Sequence, residues 1–405
     1  MNIVIDTNVV SPHIAPLSLE LARINSGNLK YVYYGRPSDA FRSREVYDQI
    51  KSIAVDVNGD RDKARSLADN ADFVLENVRD FDLMERRANA GKLTAYMSER
   101  WFKPVRLDAM RGTERASGRG IYVPGFLKML LPFAIKRARR MMRLMRSDCF
   151  LYLPNGIIAA RDMARMCGLM NGDWRCIFRS PRLEFESKAG GRIWACDGKD
   201  EVYCTDRMRM WGYLVSSSTA CAREPDNEDG QNVFRILWVG RIFALKRIED
   251  VIYAVRAYVE LKRGGAALRD VVFDVVGDGP DKERLQRIVA KWNLGDYVRF
   301  LPSVPLSEVR ELMREHEVYV LSSNAFEGWG AVVNEALEEG MKVVGTYEAG
   351  ASATVLPDCN LYHAGDWRRL SEMLSHPIAD VGIGGWNVRR AARALLDIVE
   401  KWRGK

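Results

Sequence analysis

The sequence predicts an α/β fold composed of two Rossmann-like domains, and two observations lead to this prediction. The first is the regular alternation of apolar strand segments and helical segments in the C-terminal half, which is typical of a parallel sheet with helices on both faces. Strands are predicted there at 235–239, 271–276, 298–301, 318–321, 341–345 and 361–363. Helices are predicted between them at 248–261, 281–292, 308–315 and 331–339.

The second observation is a less regular α/β pattern in the N-terminal half. Strands are predicted at 2–5, 29–34, 94–98, 149–153, 176–179 and 213–216. Helices are predicted at 16–24, 84–90 and 124–145, and the last of these is expected to kink or restart at Pro132. We therefore expect a second Rossmann-like domain in this half.

The length of the chain and one polar segment indicate the domain boundaries. A chain of 405 residues is long enough for two or three domains. Residues 222–231 (AREPDNEDGQ) are polar, acidic and rich in turn formers, so they are predicted to be a linker. The predicted domains are thus 1–221 and 232–385, followed by a basic amphipathic helix in 386–405.

The composition indicates a globular protein with anionic partners. The chain is 47% hydrophobic and 28% charged, and no apolar run approaches the roughly 20 residues that cross a bilayer. Its seven cysteines show no CxxC spacing, which favours reduced thiols and a cytoplasmic location. The net charge of +7 favours nucleotide diphosphates or an anionic membrane surface. We expect no nucleic-acid partner, because the sequence contains no nucleic-acid-binding motif.

Two glutamates eight positions apart lie in the segment 326–337 (FEGWGAVVNEAL). Glu327 follows the predicted strand 318–321 and precedes a Gly-Trp-Gly turn. Glu335 lies about two turns into the helix that follows, among apolar neighbours. Because the carboxyl end of a parallel strand meets the N–H groups of a helix start at such a corner, an anionic ligand is expected there. The alternative is that both glutamates are simply solvated or paired within the chain.

A second candidate for anion binding is the segment 239–247 (VGRIFALKR), which follows the first strand of the second domain. Lys246 and Arg247 lie close to a predicted helix start, where the helix dipole disfavours cations. An external anion that compensates these charges is one interpretation, and side chains that extend into solvent are the other. The turn 277–280 (GDGP) closes the next strand and is expected to be structural.

Together, these segments resemble the E-x7-E signature and the GR-x-x-x-x-K motif of retaining glycosyltransferases of family 4. These enzymes have the GT-B architecture, in which two Rossmann-like domains face each other across a cleft and a last helix crosses back to the first domain. The resemblance implies a metal-independent transferase of the hexosyltransferase type, with a nucleotide-diphosphate sugar as donor and no cofactor. Two DxD segments, 60–62 and 80–82, lack a preceding buried strand and are not expected to bind a metal.

The resemblance also implies roles for individual residues of the donor site. Arg241 and Lys246 would bind the diphosphate of the donor, and Glu335 would bind the ribose hydroxyls. Glu327 would contact the hydroxyls of the donor sugar and act in catalysis. The backbone amides that would line the pocket belong to Gly328, Trp329 and Gly330.

The acceptor side is predicted from fewer residues. The pattern SPH-x-x-PL around His13, and the segments 96–103 and 211–213, resemble glycosyltransferases of bacterial surface-polysaccharide biosynthesis, which act on glycan or lipid-linked acceptors. His13 is expected either to act in catalysis or acceptor binding or to be structural. Glu99 and Arg100 either orient an acceptor or pair with each other.

The segment 123–146 mixes Leu, Met and Phe with many Lys and Arg. It either lies on an anionic membrane surface, which would make the protein peripheral at the inner face of the membrane, or packs with a solvated basic face. Two further functions stay open from the sequence. One is a nucleotide-sugar epimerase of GT-B fold, and the other is a catalytically silent partner that only binds nucleotide or membrane.

Overall fold

The computed structural model describes residues 1–35, 41–106, 122–123, 125, 127, 131–172, 208–214, 233–381 and 387–404. The chain divides into two compact units. The first comprises Met1–Phe102, Pro124–Ser217 and Trp386–Lys405, and the second comprises Lys103–Val123 and Ser218–Gly385. Each unit is built on a six-stranded sheet, so the predicted α/β class is confirmed.

The first unit contains a parallel sheet whose strand order is β3-β2-β1-β4-β5-β8. Its strands are β1 (Ile3–Thr7), β2 (Leu29–Tyr33), β3 (Ala54–Asp56), β4 (Phe73–Glu76), β5 (Thr94–Ser98) and β8 (Phe150–Pro154). β1, β4, β5 and β8 are buried along their whole length, as expected for parallel strands covered on both faces. β6 (Val105–Arg106) and β7 (Tyr122–Val123) form a short antiparallel ribbon, which belongs to the second unit.

The helices of the first unit are α1 (Ala15–Ile24), α2 (Phe41–Ile50), α3 (Arg61–Asp69), α4 (Phe81–Asn89), α5 (Pro132–Met145), α6 (Gly156–Met170) and α13 (Val388–Arg403). α13, although last in sequence, packs against α1, where Arg389 Nε lies 3.7 Å from Glu20 Oε1. Its Trp402 Nε1 donates to the carbonyl oxygen of Asp148 at 3.0 Å. The C-terminal helix is therefore part of the first unit.

The second unit repeats the same topology, with the strand order β11-β10-β9-β12-β13-β14. Its strands are β9 (Val233–Val239), β10 (Asp270–Val276), β11 (Val298–Leu301), β12 (Val318–Leu321), β13 (Lys342–Thr346) and β14 (Leu361–Tyr362), and all pair in parallel. Its helices are α7 (Ile248–Arg263), α8 (Lys282–Lys291), α9 (Leu306–Glu315), α10 (Val332–Glu338), α11 (Gly350–Val355) and α12 (Trp367–Leu374). The carboxyl ends of β9, β12 and β13 lie side by side at one edge of this sheet.

Several predictions for the N-terminal half need correction. The predicted strand 213–216 is wrong for its described residues, 213–214. The pairing lies just before them, in isolated bridges of Met208 to Tyr152 and of Trp211 to Asn155. The helix predicted from 124 begins at Pro132, which occupies the first turn, where a missing N–H costs nothing. The predicted strand 176–179 and the predicted linker 222–231 lie outside the described residues.

The view that no buried strand precedes the two DxD segments is also wrong for 80–82, because β4 ends four residues earlier. Both segments instead begin helices. The carboxylate of Asp60 accepts from the backbone N–H groups of Asp62 and Lys63, each at 3.0 Å. The carboxylate of Asp80 accepts from the N–H of Leu83 at 3.0 Å and from Arg65 Nε at 2.7 Å. Both first aspartates are therefore helix N-caps. Across the described helices, none has the length and apolarity needed to span a membrane.

Candidate active site

The loop after β9 is held in place by the turn that follows β10. The N–H of Gly240 donates to the carbonyl oxygen of Val276 at 3.0 Å, and the N–H of Ile242 donates to that of Asp278 at 2.8 Å. A Cβ atom on Gly277 would lie only 1.9 Å from the oxygen of Gly240. The turn 277–280 is therefore a structural support, as the sequence predicts, and it fixes the backbone on either side of Arg241.

Lys246 and Glu327 come together although they are 81 positions apart in the chain. Lys246 lies in a short 3₁₀ turn between β9 and α7, and Glu327 lies in the loop between β12 and α10. The ammonium of Lys246 donates to Glu327 Oε2, and Ser323 Oγ donates to the same oxygen at 2.8 Å. A hydrogen bond to the backbone of Lys246 reinforces this arrangement. The hydroxyl of Ser322 donates to the carbonyl oxygen of Lys246 at 2.6 Å.

The environment of Glu327 stabilises its ionised form. Burial alone would raise the pKa of this carboxyl, since only 15% of the side chain is exposed. The positive charge and hydrogen bond of Lys246, with the hydrogen bond of Ser323, outweigh burial and lower the pKa below its usual value. The site therefore holds an ionised carboxylate beside a lysine ammonium.

For Arg247, neither of the two interpretations of the cations at the start of α7 is correct. This residue has a left-handed backbone (φ 47°), and its guanidinium donates to both oxygens of Asp250 at 2.7 and 2.8 Å. Asp250 is buried and also accepts from the N–H of Gly365 at 2.8 Å. The charge of Arg247 is thus balanced within the chain. Arg241, in contrast, is exposed and lies with its guanidinium carbon 6.0 Å from the ring centre of Phe243.

The Gly-Trp-Gly turn and its helix are anchored from two sides. The indole of Trp329 is buried, and its Nε1 donates to Asn334 Oδ1 at 2.8 Å. The carbonyl oxygen of Gly328 accepts from the N–H of Gly350 at 3.1 Å, and that of Trp329 accepts from Ala351 at 2.7 Å. Gly330 has φ 85°, a conformation that favours glycine. The indole is thus a core side chain that fixes the turn.

Glu335 lies on α10 and is 3% exposed, so the acid that the sequence places among apolar neighbours is indeed buried. Within the described part of the chain, no group of three or more His, Cys, Asp or Glu side chains is arranged to hold a metal ion.

In the first unit, His13 and Glu99, which were predicted for the acceptor side, both contact Tyr213, which was not predicted. The ring of His13, just after β1, lies 5.2 Å from the ring of Tyr213. The hydroxyl of Tyr213 donates to Glu99 Oε1 at 3.3 Å, and burial raises the pKa of this tyrosine. Arg100 does not pair with Glu99. Its Nε lies 3.8 Å from Asp162 Oδ2 on α6.

The pattern 211–213 (WGY) was the available sequence signal for Tyr213, but nothing in it showed which strand end Tyr213 would reach. The structure shows the reason. The N–H of Trp211 donates to the carbonyl oxygen of Pro154 at 2.8 Å, so the segment runs beside β8. Tyr213 is thereby carried to the carboxyl end of the sheet, beside the residues that follow β1 and β5.

A buried pair of acids at the same edge was also missed. Asp6 on β1 and Glu76 on β4 are partners in the parallel register, and both are almost fully buried. Burial raises the pKa of Asp6 to about 7, against the hydrogen bond from Tyr34, and it raises that of Glu76 well above its usual value. Glu76 Oε1 accepts from the N–H groups of Val78 and Asp80 at 2.8 and 3.2 Å. An acid inside each apolar strand, in IVIDT and FVLE, was the available signal.

Two units, each built on a six-stranded parallel sheet, make the chain a member of the α/β class. Residues 223–376 match the family model described as Glycosyl transferases group 1, so this part of the chain is a domain of that enzyme family. The resemblance noted from the E-x7-E segment is confirmed by this match, and the matched domain is that of a transferase enzyme.

Similar proteins of known sequence bear names of the same kind. The chain is 30% identical over 115 residues to the UDP-N-acetylglucosamine–peptide N-acetylglucosaminyltransferase GtfA subunit of Streptococcus agalactiae, covering 28% of this chain and 21% of that protein. It is 29% identical over 147 residues to the putative colanic acid biosynthesis glycosyltransferase WcaL of Escherichia coli K12, covering 35% of each. The matches thus span about a fifth of the length of the first relatives.

Solved structures match over the whole chain. The complex of Anabaena Alr3699/HepE with UDP has a TM-score of 0.59 and 14% identity, covering 99% of this chain and 96% of that one. The apo form of the lipopolysaccharide outer core galactosyltransferase WaaB has a TM-score of 0.58 and 15% identity, covering 99% of both chains. These similarities confirm the predicted GT-B fold.

Proposed function

We propose that this chain is a retaining glycosyltransferase that transfers a sugar from a nucleotide-diphosphate donor to a glycan or lipid-linked acceptor in surface-polysaccharide biosynthesis. The observation that carries the proposal is the contact of Lys246 with Glu327 at the ends of β9 and β12. A cation for a diphosphate and a carboxylate for sugar hydroxyls are adjacent there. Similar structures solved with UDP and with UDP-glucose support a nucleotide-sugar donor.

The chemistry of the proposed reaction explains why these charges matter. The bond between the anomeric carbon and the diphosphate oxygen breaks, and negative charge develops on the departing diphosphate. Lys246 and Arg241 stabilise that charge because they are already in place before the reaction. A bond to the acceptor oxygen forms on the same face, and the proton of the acceptor hydroxyl passes to the departing diphosphate. In this scheme Glu327 orients the sugar through its hydroxyls.

The test is a thermal-shift panel of UDP-, GDP- and ADP-sugars with the wild-type protein and Lys246→Ala. Removal of a charged partner of the diphosphate should weaken binding of the preferred donor about 10- to 100-fold and abolish its shift. Lys291→Ala, which removes an exposed lysine of α8, is the matched control and should keep the shift. An undiminished shift in Lys246→Ala would overturn the assignment of the diphosphate site.

The products of a long incubation of the donor separate the competing functions. Slow release of free sugar and nucleoside diphosphate without an acceptor supports transfer, because water replaces the acceptor. Conversion of the donor into an isomeric nucleotide sugar would instead establish an epimerase. Binding of the donor with neither product would indicate a silent nucleotide-binding partner.

We further propose that α5 lies on an anionic membrane surface, which would bring a lipid-linked acceptor to the protein. Phe133 at its start is 54% exposed, and the exposed residues that follow include Lys136, Arg137 and Arg139. An exposed aromatic ring beside several cations suits insertion at an anionic lipid interface. The inner cations of α5, in contrast, are engaged in the chain, since Arg140 donates to Glu85.

Sedimentation with vesicles of neutral lipid, and of neutral lipid with phosphatidylglycerol, tests this surface. Because each basic residue near an anionic surface contributes about 1 kcal/mol, Lys136→Glu with Arg139→Glu should weaken binding to anionic vesicles about 30-fold or more. Arg287→Glu with Lys291→Glu makes the same charge change on the exposed side of α8 and should bind like the wild type. Equal losses in both double variants would show that net charge, and not α5, is responsible.

A further inference from the structure

Lys246 has a carboxylate partner in the structure, and that partner is the residue proposed to contact the donor sugar. The ammonium donates to Glu327 Oε2, which also accepts from Ser323 Oγ at 2.8 Å. The two side chains are 21% and 15% exposed, so neither is freely solvated. Any diphosphate that binds Lys246 must therefore share this ammonium with an ionised carboxylate or displace it.

The carboxylate is fixed close to the lysine by its own surroundings. The N–H of Glu327 donates to the carbonyl oxygen of Asn324 at 2.9 Å, and the N–H of Asn324 donates to that of Leu245 at 2.9 Å. Thr346 Oγ1 donates to the carbonyl oxygen of Ser323 at 2.6 Å, which anchors this end of β12 to β13. These bonds fix the backbone of the loop that carries Glu327 next to the turn that carries Lys246.

A bound diphosphate adds negative charge beside the carboxylate of Glu327. Like charges a few ångströms apart repel, and the repulsion is stronger in a partly buried site than in water. A nucleotide sugar supplies hydroxyl groups that can donate to the carboxylate, and each such hydrogen bond to a charged group is favourable. A free nucleoside diphosphate has no such hydroxyls on its terminal phosphate, and that phosphate carries a further negative charge.

We propose that Glu327 determines specificity for the nucleotide sugar over the free nucleoside diphosphate, because it competes with the diphosphate for Lys246. The donor compensates the competition through its sugar hydroxyls, and the product does not. After transfer, Glu327 regains Lys246 and favours release of the nucleoside diphosphate. This inference rests on the proposed function, in which Lys246 binds the diphosphate.

Calorimetric titration with UDP, GDP and ADP, and with the corresponding glucose donors, tests the proposal. Glu327→Gln removes the negative charge and keeps the size of the side chain, so the affinity for the preferred nucleoside diphosphate should rise about tenfold. The affinity for its nucleotide sugar should stay the same or fall. The dissociation constant of the nucleoside diphosphate divided by that of the nucleotide sugar should therefore decrease. Glu283→Gln, an exposed position on α8, is the control and should leave both constants unchanged.

The outcomes separate this inference from the proposed function. Binding of a nucleoside diphosphate that is lost in Lys246→Ala but not strengthened in Glu327→Gln would overturn the specificity role and leave the donor site standing. A wild-type protein that binds none of the six ligands would overturn the donor site itself. If Glu327→Gln does not fold, Glu327→Ala removes the same charge, and the same increase in diphosphate affinity is expected.

Discussion

Individual residues of the second unit show how closely the backbone around the proposed donor site is packed. Gly277 has φ 142°, and a Cβ there would lie 1.9 Å from the carbonyl oxygen of Gly240. Gly279 has φ 157°, and its Cβ would lie 2.3 Å from the oxygen of Ile242. A side chain at either position would force the loop that carries Arg241 to move. These two glycines therefore support the loop that carries Arg241.

We predict that Gly277→Ala both destabilises the protein and weakens donor binding. The backbone strain and the clash should cost about 2–4 kcal/mol in the free energy of unfolding. The cost is high because the atoms that the new Cβ would meet belong to the backbone of Gly240, which cannot move aside like a flexible side chain. Gly295→Ala is the matched control, since no atom lies within 4 Å of its Cβ position. Urea denaturation and the donor thermal shift check both variants. A Gly277→Ala protein as stable as Gly295→Ala would contradict the packing argument.

The sequence predicted individual residues of the site but not the contacts between them. Glu327 and Lys246 were each predicted from the segment around them. Their contact, across 81 positions, depends on β9 and β12 being neighbours in the sheet. The partner of Arg247 was missed for a different reason. Asp250 is only three positions away, but the left-handed backbone that brings the two side chains together leaves no signal in the residue types.

At the level of secondary-structure elements, the strength of the apolar pattern explains many of the outcomes but not all, since the buried strand β4 and the apolar helix α6 were also missed. In the second unit, β9 to β13 were all recognised, since their apolar runs are long and are bounded by turn residues. In the first unit, β3 has only three residues, all of them partly exposed, and it was missed. The helices α2 and α3 are polar overall, so their periodicity did not stand out. Short α11 and α12 were also missed.

Helix starts are the elements for which local chemistry was most informative in retrospect. Asp60, Asp80, Asp366 and Asn387 each accept a hydrogen bond from a backbone N–H in the first turn of α3, α4, α12 and α13. The aspartates of the two DxD segments are explained by this role. A D-x-D spacing is typical both of a metal site and of a capped, acidic first turn, and only the position of the helix distinguishes them.

At the level of the whole molecule, the sequence predicted the fold class well and the meeting points of side chains poorly. Two parallel α/β sheets follow from alternating patterns, because the period of each segment is visible in the chain. The group formed by His13, Tyr213 and Glu99 does not, because it needs the strand order and the path of 208–214 beside β8. The order of the strands in a sheet determines which side chains become neighbours, and no single segment of the sequence contains that order.

Buried carboxyl groups give the two units opposite dependences of stability on pH. In the second unit, burial favours the neutral form of Asp274, but hydrogen bonds from His316 and Arg299 lower its pKa below the usual value. Its contribution to stability is thus complete above the usual pKa of aspartate and is lost only in acid. In the first unit, the pKa values of Asp6 and Glu76 are raised. Their contribution to stability is therefore largest in acid and is lost as the pH rises.

The free energy of unfolding should therefore fall as pH rises from about 4 to about 7, the window between the usual pKa of Asp6 and its folded value. In that window the unfolded chain loses the proton that the folded pair retains, at a cost of about 1–3 kcal/mol. Glu76→Gln replaces one of the two acids with a neutral amide that has no proton to lose, so the slope should become smaller. Urea denaturation at pH 5, 6, 7 and 8 measures it.

The matched control is Asp62→Asn, which removes one negative charge from a side chain that is 95% exposed. It should keep the slope of the wild-type protein, because it changes the net charge by the same amount at a site away from the buried pair. If Glu76→Gln and Asp62→Asn have the same slope, the proton retained by Glu76 in the folded chain does not cause the slope. The dependence of stability on pH in mild acid would then need another cause.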